Sequence, residues 1–345
     1  MMALDLHDYT RPRLAALLTE WGESPAHANR LWGALYRDLA TELPPHSNLP
    51  RRLHARLAAE ATMTNLVPLR ESVSSDRLAR KFLLGLADGQ AIETVLMHYR
   101  GRWTACLSSQ AGCPLGCVFC ATGQAGFARN LTVGEIVGQA LFAQRVLRDL
   151  GTGERLRNVV LMGMGEPLLN YDSVLRAVEI LRDPAGFSIG AKQITLSTVG
   201  VVSGIRRLAA EWQPISLAVS LHGATQAERL ALVPAAATWP LDQLMAACRD
   251  YTSQLGRRIF FEWTLIAGVS DSPAQARAVA ELLAGIPAHV NLIPLNPTTG
   301  YAGDASRDTA AAEFQAILRE RGLPSTLRAR RGIDVSAGCG QLAVV

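Results

Sequence analysis

Three cysteines lie close together in the segment Gly112-Cys113-Pro114-Leu115-Gly116-Cys117-Val118-Phe119-Cys120. This Cys-x3-Cys-x2-Cys spacing lets three thiolates converge on one inorganic centre, and the glycines let the loop curl around it. An iron–sulfur cubane usually takes four cysteines, so three cysteines would leave one iron open to a substrate. The alternative is a structural zinc ion, which wants four ligands and would be completed by Cys106 or Cys339.

Polar residues and a glycine follow several segments that have the pattern of strands. They are Gly165 and Glu166, Ser197, Ser220 with Leu221 and His222, and Asn296. In a βα barrel the carboxyl ends of the strands form the rim that carries the active site, so we expect these residues to meet there. Single residues allow other interpretations: Glu166 could simply end a strand, Ser197 could cap a helix, and His222 could be a structural histidine.

Three further cysteines and one glutamate lie outside these motifs. Cys106 is on the strand that enters the cysteine loop, and Cys339 stands between two glycines near the C-terminus. Cys248 lies in a helical pattern without a motif, so we interpret it as a core residue. Taken alone, Cys106 is typical of a buried strand thiol, Cys339 of a free thiol on a mobile tail, and Glu93 of an exposed strand residue.

The elements that would position these residues change along the chain. Leucines and aromatic residues at helical spacing predict a helical module over residues 1–62, with a break at Pro44-Pro45. Residues 81–86 and 91–96 predict a hairpin with an Asp-Gly turn, within a segment of 63–100.

Strands and helices then alternate from residue 101 to 326, followed by a tail at 327–345. The predicted strands cover 103–107, 158–163, 193–198, 215–222, 258–266 and 289–295. A capping box at Thr132 opens one helix, and the others cover 171–182, 241–255, 273–284 and 309–320. Six βα units predict a parallel α/β sheet, either open and doubly wound or closed toward a barrel.

Composition limits the class of protein. Of 345 residues, 49% are apolar, which excludes wholesale disorder, and six cysteines are too few for a disulfide scaffold. No apolar run is long enough to span a membrane, and the N-terminus lacks the pattern of a secretory signal. We therefore expect a cytoplasmic protein, where clustered cysteines indicate metal binding or catalysis.

The charge is nearly balanced, with 34 basic and 30 acidic residues and a net charge of +4. Only Lys81 and Lys192 are lysines, so arginine dominates the basic residues. Arginines concentrate in 51–102 and again in 328–331, and a guanidinium suits phosphate. These segments are candidate phosphate contacts, although a charge run is more often a solvated face and genome composition explains the excess of arginine over lysine equally well.

With these motifs in view, the chain resembles the radical S-adenosylmethionine (SAM) enzymes, and more narrowly the RlmN/Cfr family of dual-specificity RNA methyltransferases. The resemblance covers residues 14–342. Besides the cysteine loop, the matching stretches are Ser108-Ser109-Gln110, Asn130-Leu131-Thr132, Met162-Gly163-Met164-Gly165-Glu166-Pro167, Leu196-Ser197-Thr198-Val199-Gly200, Ser220-Leu221-His222 and Ala337-Gly338-Cys339-Gly340-Gln341-Leu342.

The resemblance implies a fold, two cofactors and their binding residues. The fold is a partial (β/α)6 TIM-like barrel, with a small N-terminal helical domain and a β-hairpin adaptor. Cys113, Cys117 and Cys120 would hold a [4Fe-4S] cluster, whose open iron takes the amino and carboxylate groups of SAM. The residues implied to hold SAM are Gly165 and Glu166 at its amino end, and Ser197, Ser220, Leu221, His222 and Asn296 at its other polar groups.

The resemblance also implies a reaction that consumes two SAM molecules per turnover. One SAM methylates Cys339, and the radical made from a second SAM removes a hydrogen from that methyl group. The resulting carbon radical adds to an adenine ring, Glu93 accepts the ring proton, and Cys106 attacks Cys339 to release the product and leave a disulfide.

The implied substrates are an adenosine at the peptidyl-transferase centre of 23S rRNA, before full ribosome assembly, and the adenosine 3′ of a tRNA anticodon. The implied position is C2, and the reductant is a low-potential donor such as flavodoxin. Methylation at C8 of the same rRNA adenosine, as in the Cfr branch, is the close alternative. A zinc-bearing RNA-binding protein without catalysis is the remote one.

Overall fold

The computed structural model describes residues 4–44, 49–151 and 153–344. Three parts of the sequence predictions fall partly outside these ranges: the N-terminal start at Met1, the break at Pro45, and the end of the tail at Val345. Among the described residues, no helix is both long enough and apolar enough to cross a bilayer.

Strands and helices follow one another along the chain. The strands are β1 Leu4–Asp5, β2 Ala61–Thr62, β3 Val67–Val73, β4 Ala79–Gly85, β5 Ala91–Tyr99, β6 Arg102–Cys106, β7 Gln110–Gly112, β8 Phe127–Asn130, β9 Leu156–Leu161, β10 Ile194–Thr198, β11 Ser216–Ser220, β12 Ile259–Leu265, β13 Ala288–Pro294 and β14 Ser325–Leu327. The helices are α1 Arg11–Glu20, α2 His27–Tyr36, α3 Arg51–Glu60, α4 Ala121–Ala125, α5 Val133–Asp149, α6 Tyr171–Arg182, α7 Val202–Ala210, α8 Gln226–Leu232, α9 Leu241–Leu255, α10 Pro273–Leu282 and α11 Asp308–Glu320.

The main sheet has the strand order β14-β13-β12-β11-β10-β9-β6-β5-β4-β3. Strands β6 and β9 to β14 are parallel neighbours in chain order, with helices in the crossovers between them. Because right-handed crossovers without a reversal of strand order place the helices on one face, the sheet curls toward a barrel rather than forming a doubly wound sheet. The partial (β/α)6 barrel is confirmed, and β14 adds a seventh parallel strand that was not predicted.

The hairpin prediction is also confirmed, since β4 pairs antiparallel with β5. Strand β5 then pairs with β6, so this segment continues the barrel sheet, and β3 adds an edge strand that was not predicted. The boundaries proposed at 62, 100 and 326 remain predictions.

Local sequence explains where the principal helices start. At α5 the Thr132 hydroxyl accepts from the Glu135 N–H at 3.1 Å, and the Glu135 carboxylate accepts from the Thr132 N–H at 2.9 Å, which confirms the predicted capping box. Helices α7 and α8 were not predicted. They are nine and seven residues long, too short for helical periodicity to identify reliably.

Candidate functional site

Strand register brings polar side chains from separate strands to one face of the sheet. Ser220 on β11 pairs with Glu262 on β12, and Glu262 pairs with Asn291 on β13. On the other side, Cys106 on β6 pairs with Val95 on β5, so Glu93, two residues before Val95, shares the face of Cys106. The barrel therefore presents carboxylates and a thiol among otherwise apolar strands.

A cavity opens at the carboxyl ends of β9 to β13. It is a half-open cleft, and its empty space, which includes the solvent at its mouth, is about 890 Å³. Nine of the residues singled out in the sequence line it: Cys117, Cys120, Gly165, Glu166, Ser197, Ser220, His222, Asn296 and Cys339. Four others, Cys106, Cys113, Leu221 and Glu93, do not line this cavity.

The cysteine loop packs tightly against the chain that follows it. The Cys113 N–H donates to the Gly126 carbonyl at 2.7 Å, and the Cys120 N–H donates to the Cys117 carbonyl at 3.1 Å. Gly112 has φ of +79°, and a Cβ there would collide with the main chain of Gly126, which explains the glycine.

The three thiols are electrostatic neighbours. Burial raises the pKa of Cys113 to about 12; a backbone hydrogen bond opposes this shift and the nearby Cys120 thiol adds to it. Burial also raises the pKa of Cys117, and both Cys120 and Cys113 add to that shift. Within the described residues, no three His, Cys, Asp or Glu side chains converge closely enough to hold one metal ion. A cubane distributes its thiolates over separate irons, so this arrangement fits a cluster better than a single zinc ion.

Gly165 and Glu166 form one wall of the cavity. Gly165 has φ of +98°, and a Cβ there would lie 2.5 Å from Cβ of Gln110. The Glu166 carboxyl group accepts from the N–H groups of Leu168 at 3.0 Å and Val199 at 2.9 Å. Burial outweighs these bonds and raises the pKa of Glu166 to about 7. This side chain therefore joins the ends of β9 and β10 as well as facing the cavity.

His222 is held in one orientation. Its Nδ1 accepts from the Thr264 N–H at 3.1 Å, and its ring meets that of Phe119 edge-on, with centroids 5.0 Å apart. Burial, aided by Arg229, lowers the pKa of His222 to about 3, so the ring is neutral at neutral pH. This bond assigns the ring proton to Nε2, which leaves a hydrogen-bond donor on the cavity-lining ring.

Two other predicted residues differ in how they are used. The Thr198 hydroxyl, rather than that of Ser197, accepts from the N–H groups that lead into α7, so the interpretation of Ser197 as a helix cap is wrong. Asn296 donates through Nδ2 to the Cys339 carbonyl at 3.0 Å, while its buried Oδ1 has no hydrogen-bond partner among the described residues. An unmet acceptor in the cavity wall fits a ligand with N–H or O–H groups.

Cys106 and Cys339 are both free thiols, and Cys339 acts on the titration of Cys106. Burial and the neighbouring Cys339 raise the pKa of Cys106 to about 12. Cys339 is exposed, but its surface opens into the cavity, and desolvation together with Glu262 raises its pKa to about 11. The Cys339 thiol is therefore near enough to Cys106 to act on it electrostatically.

Glu93 is fully buried, so its interpretation as an exposed strand residue is wrong. Its Oε1 lies 2.9 Å from the Lys81 ammonium group, and its Oε2 accepts from the Ala343 N–H at 2.9 Å. The predicted proton acceptor is thus held by a lysine on β4 and by the C-terminal tail.

Two buried charged residues were missed by sequence reasoning. Glu262 lines the cavity and accepts from Asn291 Nδ2 at 2.8 Å, and burial raises its pKa. The sequence feature that could have identified Glu262 is a single carboxylate in the mostly apolar strand Ile259–Leu265. Arg229, on the short helix α8, is 1% exposed and donates to main-chain carbonyls at the strand ends.

Comparisons with known proteins agree with this geometry. Residues 107–277 match the family model described as the radical SAM superfamily. The chain is 57% identical to a dual-specificity RNA methyltransferase RlmN of Myxococcus xanthus, over 98% of this chain and 94% of that protein. A probable dual-specificity RNA methyltransferase RlmN of Opitutus terrae is 56% identical over 99% and 87% of the two chains. The crystal structure of a radical SAM methyltransferase from Sphaerobacter thermophilus superposes with a TM-score of 0.93 at 45% identity, covering 98% and 99% of the two chains.

Proposed function

The chain belongs to the RlmN family of dual-specificity RNA methyltransferases within the radical SAM superfamily, and from this membership we propose that it methylates C2 of an RNA adenosine through Cys339. The observation that carries the proposal is one cavity lined by Cys117 and Cys120 of the cysteine loop and by Cys339 of the tail. A single bound SAM molecule would thus lie within reach of both the cluster loop and the thiol to be methylated.

The cofactors supply one-electron cleavage of SAM to the 5′-deoxyadenosyl radical. Cys113, Cys117 and Cys120 would hold the [4Fe-4S] cluster, and the unmet Oδ1 of Asn296 would accept from SAM. Gly165, Glu166, Ser197, Ser220 and His222 would bind its other polar groups from the cavity wall. Leu221, whose N–H donates to the Glu262 carbonyl and whose carbonyl accepts from Arg229, would support that wall.

Cys339 has two tasks in this proposal. Its sulfur first accepts a methyl group from one SAM, losing its proton, and then carries that methyl group to the adenine ring after a hydrogen atom is removed. This route answers a chemical difficulty, because C2 of adenine is a poor nucleophile that cannot take a methyl cation directly. The high pKa of Cys339 makes loss of its proton a step that SAM binding has to favour.

Cys106 and Glu93 would complete the turnover. Glu93 would accept the C2 proton, and the Cys106 thiolate would attack the Cys339 sulfur, displace the methylene carbon, which takes up a proton, and form a disulfide. The one surplus electron of the ring radical would pass to the oxidised cluster. Two electrons and two protons then restore the thiols. The shared face of Glu93 and Cys106, and the neighbouring thiols, support this assignment.

The RNA is proposed to contact the arginine-rich surfaces. Arg51, Arg52, Arg70 and Arg77 are exposed on the N-terminal module and on β3 and the turn after it. Arg328 and Arg330 are exposed near the tail, whereas Arg331 stacks over Tyr99 and donates to the His98 carbonyl at 2.7 Å. We propose 23S rRNA and tRNA as substrates, with the base extruded into the barrel, a flavodoxin-like donor as reductant and the cytoplasm as location.

Mass spectrometry of RNA treated with the anaerobically reconstituted enzyme tests this function. The expected product from protein-free 23S rRNA, SAM and dithionite is 2-methyladenosine, separated from 8-methyladenosine by chromatography. Cys339→Ala should give no product, while Cys248→Ala, a matched change of a core cysteine, should retain it. Formation of 8-methyladenosine would overturn the C2 assignment, and absence of both products would overturn the function.

A further inference from the structure

Within residues 4–44, 49–151 and 153–344, Arg229 is a buried cation without a carboxylate partner. Its side chain is 1% exposed, and the charged groups that act on it in the described residues are the thiols of Cys117 and Cys248. Its Nε has no hydrogen-bond partner among those residues. A buried charge without a counterion is costly, so a cation in this position indicates an anionic partner.

The guanidinium is positioned by the strand ends that form the cavity. Nη1 donates to the Ser220 carbonyl at 2.7 Å and to that of Leu221, and Nη2 donates to that of Val199. These carbonyls belong to the ends of β10 and β11, beside cavity-lining Ser220 and Val199. The bonds hold the charge beneath the cavity wall rather than in solvent.

A glycine makes room for the helix that carries this side chain. A Cβ at Gly223 would lie 2.6 Å from Cα of Arg229, so a larger residue there would have to displace α8. A Cβ at Gly200 would first meet the Leu244 side chain at 2.8 Å and would lie 3.3 Å from Nη2. Gly223 therefore serves the placement of Arg229.

Helix α8 also contacts the cysteine loop directly. The Val118 N–H, one residue after Cys117, donates to the Leu232 carbonyl at 3.1 Å. Cys117 packs in the same apolar cluster as Leu232 and Val233. The helix that carries Arg229 is therefore fixed to the loop that carries the cluster ligands.

We propose that Arg229 is a positioning residue that supplies the buried countercharge of the iron–sulfur cluster and raises its reduction potential. The inference rests on the proposed function, because it requires the cluster at Cys113, Cys117 and Cys120. A cubane with three thiolates is net negative, and reduction makes it more negative. A fixed nearby cation in a low-dielectric site stabilises the reduced form more than the oxidised form.

The first test is an electron paramagnetic resonance redox titration of the anaerobically reconstituted protein and its Arg229→Gln and Arg229→Lys variants. At a fixed ambient potential, the ratio of reduced to oxidised cluster should fall at least threefold in Arg229→Gln and stay near that of the natural protein in Arg229→Lys. Arg145→Gln is the matched control, because Arg145 also donates to buried main chain, the Leu39 and Ala40 carbonyls, away from the cavity. It should leave the ratio unchanged.

A second measurement covers variants that hold the cluster poorly. The rise in melting temperature on cluster loading should be smaller in Arg229→Gln than in Arg229→Lys and the natural protein, because the cluster and the cation stabilise each other. The inference would be overturned if Arg229→Gln and Arg229→Lys showed the same ratio of reduced to oxidised cluster and the same rise in melting temperature. Loss of cluster uptake in both variants, with both still folded, would also overturn it. If the natural protein gave no cubane signal, the proposed function would be overturned instead. If Arg229→Gln kept the natural ratio of reduced to oxidised cluster while the enzyme still made methyladenosine, only the inference about Arg229 would be overturned.

Discussion

The Glu93 carboxylate accepts a hydrogen bond of 2.9 Å from the backbone N–H of Ala343, four residues beyond Cys339. The tail is held at other points as well: the Ala121 N–H donates to the Gly340 carbonyl at 2.7 Å, and Asn296 binds the Cys339 carbonyl at 3.0 Å. The structure is thus a closed arrangement, in which the tail occupies the proposed proton acceptor. If Glu93 accepts the ring proton through Oε2, as proposed, the Ala343 N–H has to leave that oxygen first.

Replacing Ala343 with proline should loosen this closure. Proline has no N–H, so the bond to Glu93 is lost and Cys339 should react several-fold faster with iodoacetamide. Peptide mass spectrometry measures the rate in the reduced, cluster-free protein. Ala343→Gly keeps the N–H and should react close to the natural rate, so equal acceleration in both variants would contradict the role of this bond.

The ion pair between Lys81 and Glu93 should matter for stability because both groups are buried. Lys81→Met leaves the carboxylate without its partner and should cost about 3 kcal/mol in the free energy of unfolding by denaturant. Adding Glu93→Gln removes the stranded charge, so the double variant should recover most of that loss. A double variant that simply sums the two single losses would show that the pair is not coupled.

The raised pKa of Glu166 should make its ionisation destabilising. Its pKa is about 7 in the folded chain against 4.5 in the unfolded chain, so the folded state binds the proton more tightly. The stabilisation that Glu166 contributes is complete below pH 4.5. It is lost as the pH rises to about 7, so that the free energy of unfolding falls by about 3 kcal/mol in total. His222 titrates in the opposite sense, since its folded pKa is about 3.

The comparison between the natural protein and Glu166→Gln isolates this contribution. The free energy of unfolding of the cluster-free proteins is measured from pH 4.5 to 7.5, and the difference between them should change with pH as described. His222 is common to both and cancels. A pH-independent difference would show that Glu166 has an ordinary pKa.

Gly223 should tolerate no side chain, because its Cβ would meet the main chain of Arg229. Gly223→Ala should cost about 1–3 kcal/mol in the free energy of unfolding. The matched control is Gly190→Ala, whose Cβ meets only the side-chain amide of exposed Gln193. That amide can turn away at the cost of one surface hydrogen bond, so the change should cost much less. Similar losses at the two positions would contradict the packing argument.

Sequence patterns identified much of the fold because they are local. The capping box of Thr132 and Glu135, the Asp-Gly turn after β4 and the apolar parallel strands each carry their signal within a few residues. Strands β3 and β14 were missed because β3 is exposed along its length and β14 has three residues.

The site was predicted where residues follow strand ends, since parallel strands bring those ends together. Arg229 could not be predicted in this way, because an arginine on a short helix is usually solvated. Its burial depends on Gly223, against which α8 packs, and on carbonyls at the ends of two other strands. The burial of Glu93 likewise depends on Lys81 and on a tail residue 250 positions away.

The central claim is that the methyl group reaches RNA through Cys339 as a carbon radical. Single-turnover reaction of demethylated enzyme with SAM that carries a fully deuterated methyl group tests it most directly. The claim predicts that methyladenosine retains two of the three deuterium atoms and that the third appears in 5′-deoxyadenosine. A product that retains all three deuterium atoms, with none in 5′-deoxyadenosine, would contradict it.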